Sequence, residues 1–219
     1  MKNVFIIGVT PFAELVASYM NHNGQYRVAG FSAEREYITR DILSGIPVVP
    51  FESAEENFDV EDFGFFVAVG YKYLNAIRAR LYEEALKKGY KPVSYIDKHA
   101  MIGPNVSLGE HVFIFENVVI QPRTVLDANT IVCASTTISH DCNISRNCFF
   151  AAGAVVGGNA NIGANCFIGM NATIFDQVNV GDRCIVGAGA RVAKDLPPNT
   201  VIQPAQELIV SGVRTEALL

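Results

Sequence analysis

Residues 160–192 read ANIGANCFIGMNATIFDQVNVGDRCIVGAGARV, and their spacing decides the fold. Counting by six from Ile162 gives Ile168, Ile174, Val180, Val186 and Val192, all apolar. Two residues before each stand Ala160, Cys166, Ala172, Val178, Cys184 and Ala190, all small or β-branched. Both registers run backwards without a break. The large one passes through Val156, Phe150, Ile144, Ile138, Val132, Leu126, Ile120, Ile114 and Leu108 to Ile102. The small one includes Ala154, Cys148, Cys142, Thr136, Thr130, Thr124, Val118 and Val112. With 50% of residues hydrophobic, chance would produce the large register only on the order of once in tens of thousands of trials. A period of six matches neither a helix nor an alternating strand, but it fits a short strand plus a turn, repeated as the sides of a triangular solenoid. Three hexads complete one coil. The large aliphatic fills the interior, and the residue two before it shares its strand parity and points inward near a corner, where only a small side chain fits.

Composition narrows the function. The chain has 219 residues, of which 18% are charged, so burial can offset chain entropy and a disordered protein is excluded. The net charge of −5 and the lack of a Lys/Arg cluster argue against a nucleic acid partner. No apolar stretch approaches the ~20 residues of a membrane span. Glu14 and the helical spacing after it set the N-terminus apart from a signal peptide, so a cytoplasmic protein is expected. Four of the five cysteines, Cys142, Cys148, Cys166 and Cys184, fall on the small inner register, which makes them buried hydrophobes; no CxxC spacing suggests a metal.

The first half alternates strands and helices. Residues 2–8, 26–31, 46–49, 65–69 and 92–96 read as strands and 74–88 as a helix, while Phe12, Leu15, Val16 and Tyr19 share one face of an earlier helix. This order implies a small parallel sheet with helices on both sides, on which ligands collect at the carboxyl ends of the strands. Pro11 also suits the first turn of a helix with no ligand at all. The expected layout is a Rossmann-like α/β domain over residues 1–97, a solenoid over 98–195 that the first domain covers at one end, and a cap over 196–219 at the other.

For general-base chemistry near neutral pH, histidine is the natural candidate. His22 and His99 read as solvated or capping residues, and His111 as an exposed corner residue. His140 differs: Ser139-His140-Asp141-Cys142 sets an imidazole beside a carboxylate at a repeat corner.

The hexads resemble those of left-handed parallel β-helix acyltransferases. Ile7-Gly8, Gly30-Phe31, Gly45-Ile46-Pro47-Val48, Val69-Gly70-Tyr71, Lys88-Gly89-Tyr90 and Ser94-Tyr95-Ile96 extend the resemblance to the PglD/NeuD-like sugar acyltransferases over nearly the whole chain. That resemblance implies a homotrimer that takes acetyl-CoA in grooves between subunits and N-acetylates a nucleotide-linked amino sugar, with a sugar hydroxyl or another acyl donor as alternatives. It implies His140 as general base with Asp141 beside it. Thr10, Pro11, Phe12, Ser32 and Gly70 would line the sugar-nucleotide pocket. Gly158, Met170 and Ala188 would line the CoA groove, with Gly153 and Gly189 nearby; Phe149 stands where the family commonly has a second histidine near the acyl group. Lys194 reads either as a CoA phosphate contact or as a solvated lysine. Ser32-Ala33 stands in place of the family's acidic pair, which bears on nucleotide identity, while Val9-Thr10-Pro11-Phe12 in place of a Gly-Gly-His turn, together with Phe149, makes a catalytically silent sugar-binding scaffold the non-enzyme alternative.

Overall fold

The computed structural model describes residues 1–204. Its N-terminal part runs β1 (Lys2–Ile7), α1 (Pro11–His22), β2 (Tyr26–Ala33), β3 (Ile42–Leu43), β4 (Ile46–Pro50), β5 (Phe63–Val67), α2 (Ala76–Lys87) and β6 (Lys91–Pro92). The strands form one sheet in the order β3-β4-β2-β1-β5-β6, parallel except for the β3–β4 pair. Alternation along β1 sends Val4 and Ile6 into one core with α1, and Phe5 and Ile7 into another with α2. The helices therefore cover opposite faces.

Helix α1 buries Ala13, Val16, Ala17 and Met20, while Leu15 is 44% exposed. The expected stripe of Phe12, Leu15, Val16 and Tyr19 is thus divided. Val16 packs in the core, but Phe12 and Tyr19 turn their rings towards Phe115 of the solenoid. Two partners, a sheet and a solenoid, broaden the helix's apolar surface beyond one stripe.

The rest is a left-handed parallel β-helix whose two-residue strands stack into sheets of seven, six and five strands, one for each side of a prism. Phe113 pairs with Ile131, Val119 with Thr137 and Val125 with Asn143, one coil later in each case. Each strand offers one residue outward and one inward, and the inward residues Ile114, Ile120, Leu126 and their successors are buried, as are those of the small register from Val112 onward. Corners turn on left-handed residues, most often asparagine as at Asn105, Asn117 and Asn159. The cysteine thiols of the inner register donate to corner carbonyls: Cys148 to Gly163 and Cys166 to Gly181, both at 3.2 Å. They are structural groups.

The expected strand over 92–96 is two: Pro92 pairs with Phe65 in the first sheet, and Tyr95–Ile96 opens the seven-stranded side of the solenoid. The α/β unit lies along that seven-stranded side and does not sit over the end of the prism, so Ile102 at the open first coil remains 37% exposed. At the far end Val201–Ile202 pairs with Ile185–Val186, and Leu196 bridges to Val180. The expected cap lies outside the described residues from 205 onward.

Candidate active site

In the α/β sheet β1 is followed by β2 on one side and flanked by β5 on the other, so the chain reverses direction between β1 and β5. The turns leaving the carboxyl ends of those strands are where open α/β sheets form their ligand crevice. Gly8 makes this approach close. Its φ is +138°, its N–H donates to the Ser32 carbonyl at 2.8 Å, and a Cβ would meet the Ala68 carbonyl at 2.7 Å. Thr10 and Pro11 are exposed at the start of α1, Phe12 is half-buried, and Gly70 lies on the turn after β5. Ser32 is fully buried at the end of β2, and its hydroxyl is without a hydrogen-bond partner. The five expected sugar-pocket residues thus gather at one end of one sheet.

Phe149 faces the same crevice. It projects from the seven-stranded side of the solenoid, 6% exposed, with ring centroids 6.2 Å from Phe12, 5.3 Å from Tyr71 and 5.9 Å from Phe167. Tyr71 stands 4.4 Å from Phe167 and is 52% exposed, so one aromatic wall reaches solvent at this point.

His140 lies elsewhere, on the corner between strands Thr137–Ile138 and Asn143–Ile144, the edge shared by the six- and five-stranded sides. Its N–H donates to Gln121 Oε1 at 3.1 Å and its carbonyl accepts from the Asn159 N–H at 2.9 Å, so the corners of the coils before and after hold it. Nδ1 is 2.8 Å from Asp141 Oδ2. Asp141 also takes a forked pair from Arg123, Nε to Oδ1 at 2.7 Å and Nη2 to Oδ2 at 2.6 Å. Arg123 first, and His140 after it, hold the Asp141 carboxyl down at about 2. An ionised carboxylate only accepts, so Nδ1 is the donor of this pair, and in the neutral ring Nε2 is the nitrogen that carries the lone pair. Gly158, buried on the next coil, lies against the ring, where a Cβ would come within 2.8 Å of Cε1 and Nε2. Half the His140 side chain is exposed.

The expected CoA-groove residues divide between two edges. Gly158 shares the His140 edge, whereas Met170 and Ala188 sit on the edge between the seven- and six-stranded sides, both exposed. In a three-sided prism the His140 edge is opposite the seven-stranded side that carries Phe149 and the crevice. A single chain therefore does not bring His140 to Phe12, Ser32 or Phe149.

The third edge, between the five- and seven-stranded sides, meets helix α2. Arg78 is fully buried there, its guanidinium reaching the carbonyls of Asn129, Asn147 and Cys148 at 3.0–3.3 Å, Asn129 Oδ1 at 3.2 Å and Asn75 Oδ1 at 2.9 Å. Burial pulls its pKa down to about 10, so it remains a cation. Next to it is His111, which corrects an expectation: it is buried, not exposed. Its Nε2 accepts from the Val67 N–H at 2.8 Å, because two-residue β6 stops short of pairing that end of β5, and its Nδ1 meets Asn129 Oδ1 at 2.9 Å. Burial, and then the Arg78 charge, lower His111 to about 3. His111 is a neutral structural link between sheet and solenoid. His99 is largely exposed and pairs with Asp97, as a capping residue would. Sequence reading missed Arg78 because a charge on a helix normally marks its wet face. It missed Arg123 too, although opposite charges 18 residues apart, one coil, were there to be found.

Among the described residues no group of three or more His, Cys, Asp or Glu could hold a metal ion, and no helix is long and apolar enough to cross a membrane.

Family models match in the same two parts. The PglD N-terminal domain matches residues 3–85, the bacterial transferase hexapeptide (six repeats) 141–176, and the hexapeptide repeat of succinyl-transferase 159–194. No curated protein sequence matches the chain. Among solved structures, the acetyltransferase domain of PglB from Neisseria gonorrhoeae FA1090 is 29% identical with a TM-score of 0.82, over 95% of this chain and 100% of that one; it was also solved with acetyl coenzyme A. PerB from Caulobacter crescentus, in complex with CoA and GDP-perosamine, is 27% identical with a TM-score of 0.82, over 92% of this chain and 93% of that one. WeeI from Acinetobacter baumannii AYE, 20% identical over 92% of this chain and 96% of its own with a TM-score of 0.82, shares the fold.

Proposed function

We propose that this chain is a hexapeptide acyltransferase that moves the acetyl group of acetyl-CoA to the amine of a nucleotide-linked sugar, a reading supported by a PglD N-terminal domain match followed by bacterial-transferase hexapeptide repeats. One observation carries the reading: an imidazole whose Nδ1 is committed to an ionised carboxylate, leaving Nε2 bare on an exposed solenoid edge. The likeness to enzymes solved with acetyl-CoA and with CoA plus GDP-perosamine supports the substrate classes.

In the proposed reaction the sugar amine attacks the thioester carbonyl and His140 Nε2 takes the proton it sheds. The tetrahedral adduct collapses, the C–S bond breaks, and the imidazolium returns the proton to the departing thiolate. Asp141 keeps the imidazole in the base tautomer and offsets its transient positive charge.

The sugar nucleotide would enter the crevice at Thr10, Pro11, Phe12 and Gly70, where the Ser32 hydroxyl gains a partner. Since that crevice and His140 face away from each other in one chain, the working site needs two copies, His140 and Gly158 from one and the crevice with Phe149, Met170 and Ala188 from the next. A homotrimer with a site at each of its interfaces meets this need. Substrates of these classes fit a cytoplasmic setting.

The test is thiol release from acetyl-CoA with a panel of amino-sugar nucleotides. Wild type should turn over at least one of them and His140→Ala should lose ~100-fold or more in kcat. Intact turnover in His140→Ala would refute the assignment. Turnover only with hydroxyl acceptors, or only with longer acyl-CoAs, would move the chain to the O-acetyl or altered-donor reading; no turnover with any pair would favour a silent scaffold.

A further inference from the structure

The left-handed corner column on the His140 edge runs Asn105, Arg123, Asp141, Asn159 and Gln177, with one pair of opposite charges among neutral amides. That pair lies one coil apart beside the proposed base. The contacts that hold the His140 corner come largely from the corner of Arg123: Gln121 takes the His140 N–H, the Pro122 carbonyl accepts from the Asp141 N–H at 3.1 Å, and Arg123 forks onto the carboxylate. Asp141 Oδ2 is shared between Arg123 Nη2 and His140 Nδ1, so the guanidinium fixes the plane in which the carboxylate meets the ring.

We propose that Arg123 is the positioning residue of this active site: through Asp141 it sets the orientation of the His140 imidazole and keeps the carboxylate's charge from trapping it as imidazolium. The inference rests on His140 acting as the base. An unpaired carboxylate 2.8 Å from Nδ1 would favour the protonated ring, and a protonated ring cannot accept the proton of the amine. The paired guanidinium balances that charge while leaving the hydrogen bond in place. Among the described residues, the only other ionisable group on the His140 corner is the buried Cys142 thiol, which points to the His140 and Gly157 carbonyls and is kept neutral by burial, and the corner after it has none. The preceding corner contributes Arg123 alone, the next contributes Gly157, Gly158 and Asn159, Asp176 lies two coils onward, and Lys194 and Asp195 lie three coils onward.

The experiment follows kcat/KM against pH for wild type, Arg123→Ala, Arg123→Gln and Arg123→Lys, together with the titration of the His140 ring by NMR in each. With Arg123→Ala and Arg123→Gln the acid limb and the ring's midpoint should both move up by about one pH unit. The rate near pH 7 should then fall several-fold more than the rate near pH 9, with KM for acetyl-CoA little changed. Arg123→Lys, a point charge without the fork, should restore the midpoint more than it restores kcat. Unchanged profiles and midpoints, or an equal loss at every pH with the midpoint unmoved, would overturn the role. Should wild type turn over no substrate, the proposed reaction fails; the NMR midpoints still decide whether Arg123 governs the ring.

Discussion

His111 carries its acid sensitivity in one buried ring. Its pKa is depressed to about 3, from an ordinary value near ~6.5. Below that ordinary value the unfolded chain binds a proton that the folded chain refuses, so the contribution of His111 is complete above it and lost as pH falls towards the folded value. Stability should drop by up to about 1.4 kcal/mol per pH unit across that window from this residue. Denaturant midpoints between pH 7 and 4 should therefore fall more steeply for wild type than for His111→Gln, and parallel curves would refute the assignment. Ser32 gives a second prediction of this kind. A buried hydroxyl without a partner costs about 1–3 kcal/mol, so Ser32→Ala should leave Tm unchanged or raised while KM for the sugar nucleotide rises; a lower Tm with an unaltered KM would show a structural role. The Ser139-His140-Asp141 corner was legible in the sequence because imidazole and carboxylate are adjacent there. The burial of His111 was not, since it depends on α2 and β5 arriving from another part of the chain.

Elements set how much each residue tolerates. The solenoid coils were legible to the residue because every inward position recurs at six and the inside of a prism admits no polar exception without a partner. Gly158 follows from that stacking: its Cα side is filled by the His140 ring one coil earlier. Gly158→Ala should displace the imidazole and cost of order 10- to 100-fold in kcat with little change in Tm, measured by the thiol assay and by thermal unfolding; an unaffected rate would mean the ring does not work in this pose. Helix α2 carries the converse lesson. Its buried face, Arg78, Leu81, Tyr82 and Ala85, has helical spacing, yet begins with a cation whose partners are carbonyls of the solenoid. Arg78→Met should destabilise the chain by about 3 kcal/mol or more, because several buried carbonyls lose their donor at about 1–3 kcal/mol each, read from urea midpoints, whereas loss of only a few tenths would show that the carbonyls find other donors. Just before α2, Tyr73, Leu74 and Asn75 are all left-handed, and Asn75 is tied to the Cys166 carbonyl at 3.1 Å. The helix expected from Leu74 therefore starts at Ala76.

At the scale of the molecule, the α/β unit rides on one side of a prism and the proposed base sits on the edge opposite. Sequence order fixes both units but not how they dock, because docking rests on contacts such as half-buried Tyr19 with Glu116 and buried Arg78 with the corner carbonyls, which have no local signature. The central claim is that catalysis needs His140 from one copy and the crevice from another. It is tested most directly by mixing two inactive variants, His140→Ala and Thr10→Trp, the second blocking the crevice mouth at an exposed position. After co-expression in equal amounts each site draws its two contributors independently, and about a quarter should combine an intact His140 with an intact crevice. Thiol release near that fraction of the wild-type rate is the expected result; a rate no higher than the sum of the two variants alone would contradict the shared site.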